Sequence, residues 1–301
     1  MHYRVGTRGS VLALAQTNLV IDRLKEEYPK DSFEVVIIQT KGDRNQNISL
    51  DQMGTKGIFV EEIEAQLLQN EIQLAVHSMK DMPEDAAEGL TFSKAWSRED
   101  ARDVLILKEA GSLMELKRNA VIGTGSKRRA YQLLQLRPDL EIVGIRGNID
   151  TRIRKLQESA QLDGIVLAAA GLKRLGLEAR ITEYLEPEQV IPAPAQGVLA
   201  LEVKADNREL LDKLNRLSDA KTELAVRAER GFLKQIGGDC HLPVGAFLSD
   251  NSDGTYTLRA LFGDETGAQL ARVQVSGVDT EVEHMVNNAV HIMRQKLLWE
   301  K

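Results

Sequence analysis

The strongest constraint on the fold is an alternation of strand and helix patterns. Tyr3 to Gly6 reads as a short strand. Ser10 then opens a helix to about Glu27, with Leu12, Leu19, Val20 and Leu24 on one side, and Phe33 to Gln39 is a β-branched strand. A helix over about 58–69 and a strand over 73–77 complete the series, the pattern of an α/β domain with a largely parallel sheet. A second alternating unit follows. Its strands fall at Val104–Leu107, Ala120–Gly123, Glu141–Ile145 and Gly164–Leu167, with helices near Ser126–Leu136, Ile149–Glu158 and Leu172–Leu177. After the Pro/Gly-bounded crossing Ile191–Gly197, the apolar run Val198–Val203 is placed to return to the first sheet, which makes the link a hinge pair. From Ala220 the pattern changes to a helix to about Ile236, three grouped strand-like runs (Val244–Leu248, Thr255–Phe262, Gln269–Val275) and a final helix from about Glu281, which predicts a small α+β domain. The expected fold class is α/β with a small C-terminal α+β domain. The expected boundaries are 1–97 with 198–215, 102–191, and 220–301. The stretch 41–57 between strand and helix is polar, has no clear period and is long for a connection, the mark of a lid or a disordered segment.

Charge and cysteine usage exclude several classes of function. Forty-five acidic against 39 basic residues give a net charge of −6, which argues against a nucleic-acid partner. The single cysteine, Cys240, rules out an intramolecular disulfide and a cysteine-rich metal site, and the five histidines show no metal-pair spacing, so no metal is expected. No apolar run reads as a signal peptide or a membrane span; the expected location is the cytoplasm, with no membrane partner.

Basic residues recur at the starts of predicted helices. Arg8 precedes Ser10; Lys127, Arg128 and Arg129 follow Gly123-Thr124-Gly125-Ser126; Arg146 and Arg152 flank Gly147-Asn148. A cation there opposes the helix dipole, so this placement makes sense where cation and free N–H groups face a shared anion. These positions also follow strands, and ligands of open α/β sheets bind at the carboxyl ends of strands. His77-Ser78-Met79-Lys80-Asp81-Met82-Pro83 is another strand-end segment, which puts Lys80 and Asp81 on a loop at that edge. His77, Ser78 and Asp81 are too close in sequence for the usual hydrolase triad and lack a nucleophile elbow. Gly123–Lys127 has neither Walker nor dinucleotide spacing. Around Cys240, Gly237-Gly238 and Leu242-Pro243-Val244-Gly245 preclude a helix interior or a central strand. On residue type alone, Cys240 reads as a buried thiol beside a turn.

Eight stretches in order resemble the porphobilinogen deaminase family over nearly the whole chain. They are Gly6–Ser10, Thr40–Asp43, Lys56–Phe59, Val76–Pro83, Ser126–Arg129, Arg146–Arg152, Ala168–Arg174 and Cys240–Gly245. The resemblance implies two α/β domains like the halves of periplasmic binding proteins, plus a small α+β domain carrying the cysteine. It implies a transferase that deaminates porphobilinogen and joins the units head to tail into the linear tetrapyrrole hydroxymethylbilane, on a dipyrromethane cofactor bound to Cys240 through a thioether. By the same match, Asp81 is catalytic. Lys80, Ser126, Arg128, Arg129, Arg146 and Gly171 hold the cofactor, and Arg8, Ser10, Arg152, Arg174, Phe59 and Gln196 serve the substrate. The implied partners are porphobilinogen and the growing pyrrole chain, and the implied state is a monomer. Each pyrrole carries two carboxylates, which gives the arginines a polyanion to bind. The chain departs from the commoner family pattern at Asp239, where a second glycine usually precedes the cysteine. It departs also at Gly125, usually serine, at Gln52, frequently lysine, and at Ala193–Gly197, where a Pro-Ala-Val-Gly-Gln-Gly run is commoner. The alternative reading is a non-catalytic two-lobed binding protein for an anionic solute, which requires neither Cys240 nor Asp81.

Overall fold

The computed structural model describes residues 1–40, 60–83, 85–238 and 242–297. The 41–57 stretch therefore lies outside the described residues. The chain divides into two compact units, Met1–Arg98 with Val198–Glu223, and Glu99–Gly197 with Leu224–Lys301.

The first unit is built on strands β1 (His2–Thr7), β2 (Ser32–Ile37), β3 (Leu74–Ser78), β4 (Leu90–Phe92) and β10 (Leu199–Lys204), in the order β2-β1-β3-β10-β4. β1 runs parallel to β2 and β3, but β10 is antiparallel to both of its neighbours, so the sheet is mixed rather than largely parallel. Helix α1 (Val11–Glu27) starts where Ser10 Oγ accepts the Ala13 N–H at 3.2 Å, a side-chain N-cap. Its buried face is Gln16, Thr17, Val20, Ile21 and Leu24, whereas Leu19, expected on the apolar side, is 50% exposed. The polar members of that face are satisfied: Gln16 Nε2 donates to Ser78 Oγ at 3.0 Å, and Thr17 Oγ1 to Ala13 O at 2.9 Å. Helix α2 (Glu61–Leu68) covers the other face through Ile63 and Leu67, both fully buried.

The second unit carries β5 (Asp103–Leu107), β6 (Val121–Gly123), β7 (Glu141–Val143), β8 (Gly164–Ala168) and β9 (Glu183–Leu185), in the order β7-β6-β8-β5-β9. Here β7, β6 and β8 are mutually parallel, and β5 is antiparallel to β8 and β9. The helices are α3 (Lys127–Leu136), α4 (Ile149–Glu158) and α5 (Ala169–Arg174). Helix α6 (Arg208–Asn215) follows β10 in the first unit.

The small C-terminal sheet is an antiparallel meander, β11 (Gly245–Asp250), β12 (Tyr256–Gly263) and β13 (Leu270–Gly277), packed with α7 (Ala220–Ile236) and α8 (Val282–Lys296). Ala225, Ala228, Phe232 and Ile236 recur on one face of α7 and enter this core with Phe262 and Met285. Burying Phe232 fully contributes about 2–3 kcal/mol. The two α/β sheets and the α+β segment are the fold class that the sequence predicts.

The crossing before β10 holds one strained residue. Ala195 is fully buried at φ +58°, in the left-handed region. A β-branched side chain is both disfavoured at that angle and too large for the packed surroundings. Ala195→Val is therefore expected to destabilise the protein by about 2–4 kcal/mol, read as a lower urea midpoint at constant m-value. An unchanged midpoint would show that the crossing relaxes freely.

Candidate active site

In the first unit, β1 and β3 are parallel neighbours, with Val5 opposite Leu74 and Gly6 opposite Ala75. Their carboxyl ends therefore emerge side by side. Arg8 and Ser10 follow β1, and Met79–Asp81 forms one 3₁₀ turn directly after β3. Asp81 is exposed and makes no hydrogen bond or ion pair among the described residues, while Met79 before it is buried. Next to it, Lys80 is half-buried. The local chain explains the geometry. The apolar strand Leu74–Val76 anchors the turn, and Met82 N–H closes it on Met79 O at 3.1 Å. Ser78 and His77 point to opposite faces of β3. Ser78 Oγ is bonded to Gln16, and His77 Nε2 stands 3.3 Å from buried Glu202 Oε2, so no triad forms with Asp81.

In the second unit, the same rule places the remaining residues after β6, β7 and β8. Ser126 caps α3 by accepting the Arg129 N–H at 3.4 Å, and its own N–H donates to Thr124 Oγ1 at 3.2 Å. Arg146 is exposed after β7, and Arg152, in the first turn of α4, donates from Nε to Gly147 O at 2.7 Å. Gly147 has φ +112°, and a Cβ there would stand 2.5 Å from Thr151 Cγ2, so the turn that carries Arg146 needs glycine. Gly171 and Arg174 lie on α5 after β8, Gly171 buried. Arg174 donates from Nη2 to Gly197 O at 2.6 Å. Burial lowers its pKa to about 10, against the opposing pull of Glu99, so it stays cationic at neutral pH.

Arg128 and Arg129 are the most buried cations among the described members of the set, 5% and 7% exposed. Both turn inward onto Asp103, the fully buried first residue of β5. Arg128 Nη1 donates to Asp103 Oδ2 at 2.7 Å and to Ile191 O at 2.6 Å. Arg129 donates to Asp103 Oδ1 from Nε at 2.9 Å and from Nη2 at 2.7 Å, and from Nη1 to Val166 O at 3.3 Å. Gln196 Nε2 reaches the same oxygen at 2.9 Å, and Ala101 O at 2.7 Å. Burial alone would raise the Asp103 pKa; the two guanidiniums and Gln196 override it and hold the carboxyl well below the usual range. Burial depresses the Arg128 guanidinium, opposed by Asp103. Sequence reasoning missed Asp103. The available signal was an acid placed directly before the apolar strand Val104–Leu107.

Contacts continue from this cluster to the segment that carries the cysteine. Gln132 Oε1 accepts the Ile191 N–H at 2.8 Å, and its Nε2 donates to Ile191 O at 3.1 Å. Ala246 N–H donates to Pro192 O at 3.1 Å, which seats β11 on the same run. Helix α7 ends in a Schellman arrangement: Gly237, at φ +71°, and Gly238 donate to Lys234 O and Leu233 O at 3.3 and 3.2 Å. A Cβ on Gly238 would stand 2.7 Å from Val244 Cγ2, so Gly238 packs against Val244 too closely for a larger residue. Cys240 with Asp239, and Phe59, lie outside the described residues.

The two mixed α/β sheets, the small α+β segment and the basic residues that follow strand ends define a two-lobed α/β fold with a small C-terminal α+β part. Comparison with known proteins narrows this. Residues 3–212 match the family model described as porphobilinogen deaminase, dipyromethane cofactor binding domain, and residues 223–294 match its C-terminal domain. The chain belongs to the porphobilinogen deaminase family. It is 58% identical over 282 residues to the porphobilinogen deaminase of Lachnospira eligens, covering 93% of this chain and 96% of that one. It is 51% identical over 278 residues to that of Clostridioides difficile, covering 92% of each. Among solved structures it is similar to a nutrient binding protein from Burkholderia cenocepacia bound to methionine, at 12% identity and TM-score 0.46, covering 78% of this chain and 97% of that one. The family membership leaves the binding-protein alternative without support.

Proposed function

We infer that this chain carries the reaction of its family, in which porphobilinogen units lose ammonia and are joined head to tail into hydroxymethylbilane on a dipyrromethane primer. The observation that carries this reading is Asp81, an exposed carboxylate just after β3 without a partner among the described residues, inside the matched segment 3–212. Loss of ammonia leaves a cationic methylene-pyrrole on the substrate. A carboxylate held at the pyrrole nitrogen stabilises that charge and takes the proton when the ring regains aromaticity. Asp81 has this role.

The donor set fits the primer. Each ring offers an acetate and a propionate, and the chain answers with guanidinium, ammonium and hydroxyl groups. Among them, Arg128 Nε and Nη2 are without a partner among the described residues. In this reading Lys80, Ser126, Arg128, Arg129, Arg146 and Gly171 hold the primer, and Cys240 attaches it. When bound, the primer supplies the free pyrrole carbon at which the chain is extended. Arg8, Ser10, Arg152, Arg174, Phe59 and Gln196 take the incoming rings. The division at 1–97 with 198–215, 102–191 and 220–301, a monomeric state and a cytoplasmic location complete the reading. No helix among the described residues is long and apolar enough to cross a membrane.

Intact-mass measurement tests the reading. The purified chain is expected to exceed its sequence mass by two porphobilinogen units less their ammonia, and Cys240→Ser to show the bare mass. A bare wild-type mass that does not rise on incubation with porphobilinogen would sink the assignment.

A further inference from the structure

The cluster at Asp103 carries more than core packing. One buried carboxylate serves two buried guanidiniums, so the group retains a net positive charge. The two arginines are committed unequally. Arg129 uses all three nitrogens on Asp103 and Val166 O. Arg128 spends only Nη1, on Asp103 Oδ2 and Ile191 O, which leaves Nε and Nη2 without a partner among the described residues. A guanidinium is planar, so fixing one nitrogen from two sides fixes where the remaining edge points. The fixing groups come from three places: the first residue of β5, the Ile191 run and, through Gln196, the end of the crossing.

We propose that Asp103 is the positioning residue of the anion site: by holding Arg128, Arg129 and Gln196 on one carboxylate, it sets the direction in which the open edge of Arg128 meets a carboxylate of the pyrrole chain. This rests on the reading that Arg128 binds such a carboxylate. Asp103 is itself fully buried and acts through the groups it holds. Its effect is geometric, and a displacement of about 1 Å at a positioning group is enough to change binding or rate up to a hundredfold.

The test is Asp103→Glu, which keeps the charge but lengthens its reach by one methylene, beside Asp103→Asn, which keeps the shape and removes the charge. Both are assayed as purified, folded chains for covalent primer load by intact mass, for KM and kcat with porphobilinogen, and for thermal midpoint. Asp103→Glu is expected to raise KM at least tenfold with kcat within threefold, or to lower primer load below one fifth. Asp103→Asn is expected to lose primer load more fully. Normal KM and full load in folded Asp103→Glu overturn the proposal, and so does failure of both variants to fold, which would make Asp103 a residue of the fold alone. A wild-type chain of bare mass would instead defeat the underlying reading, so the two failures are distinguishable.

Discussion

Asp81→Asn is expected to keep the covalent primer and the thermal midpoint of the parent, and to lower kcat about a thousandfold. The fold loses nothing because Asp81 is exposed and makes no bond among the described residues that asparagine would break. Substitutions at such positions normally change stability by less than about 0.5 kcal/mol. The catalytic loss follows from charge. Asparagine can still accept a pyrrole N–H, but it carries no negative charge for the cationic intermediate and takes no proton. Removing a positioned charge or proton carrier of this kind typically costs about 10²–10⁴ in rate. Asp81→Glu, with the charge retained but displaced by one methylene, is expected to fall between parent and asparagine. Single-turnover kinetics on primed chains provide the measurement. Parent-like kcat in Asp81→Asn would remove Asp81 from the chemistry.

The second large effect is expected at Glu229. It lies on α7 beside Ala228 and is fully buried. Its Oε2 accepts the N–H of strained Ala195 at 2.7 Å, and its Oε1 accepts the N–H of Leu248 in β11 at 2.9 Å. One carboxylate thus satisfies a donor on the crossing and a donor at the centre of a strand. Glu229→Leu leaves both N–H groups buried and unbonded, which costs about 1–3 kcal/mol each. The expected loss is about 3–5 kcal/mol, seen as a large drop in urea midpoint. Glu229→Gln, which keeps one acceptor and turns a donor toward the other N–H, is expected to lose about half as much. A Glu229→Leu chain with the parental midpoint would show that these two bonds contribute nothing to stability.

Local signals told helix boundaries well. α7 is read as Ala220 to Ile236 in the sequence and spans those residues in the structure, because Gly237-Gly238 terminates it by a mechanism visible in the residues themselves. Ser10 and Ser126 likewise marked helix starts and prove to be N-caps. Burial was harder to read. Gln16 and Thr17 look like surface residues yet lie on the buried face of α1, because their hydrogen bonds are made internally. Leu19, the apolar residue nearby, faces out. Strand direction was not legible either, since an apolar run such as Leu199–Lys204 carries no mark of whether its neighbours run with it or against it. The strands Leu90–Phe92 and Glu183–Leu185 are too short to show a period. The basic residues do follow strands, as the alternation of elements places them, but the inward turn of Arg128 and Arg129 depends on Asp103, 25 and 26 positions away. A run of three cations beside a serine cannot announce a partner that distant.

The position of β10 has a consequence for how the chain is made. β10 lies between β3 and β4, inside its sheet rather than at an edge, although residues 99–197 separate it in sequence from the rest of the first unit. During synthesis the amino-terminal sheet therefore waits, with β3 paired to β1 on one side only, until Lys204 has left the ribosome. The sheet of β5 to β9 is complete once Leu185 is made. Domains usually fold in the order in which they are translated. Here the later-coded sheet is the first able to close, and the exposed edge of β3 is the surface that a nascent-chain chaperone would have to guard meanwhile.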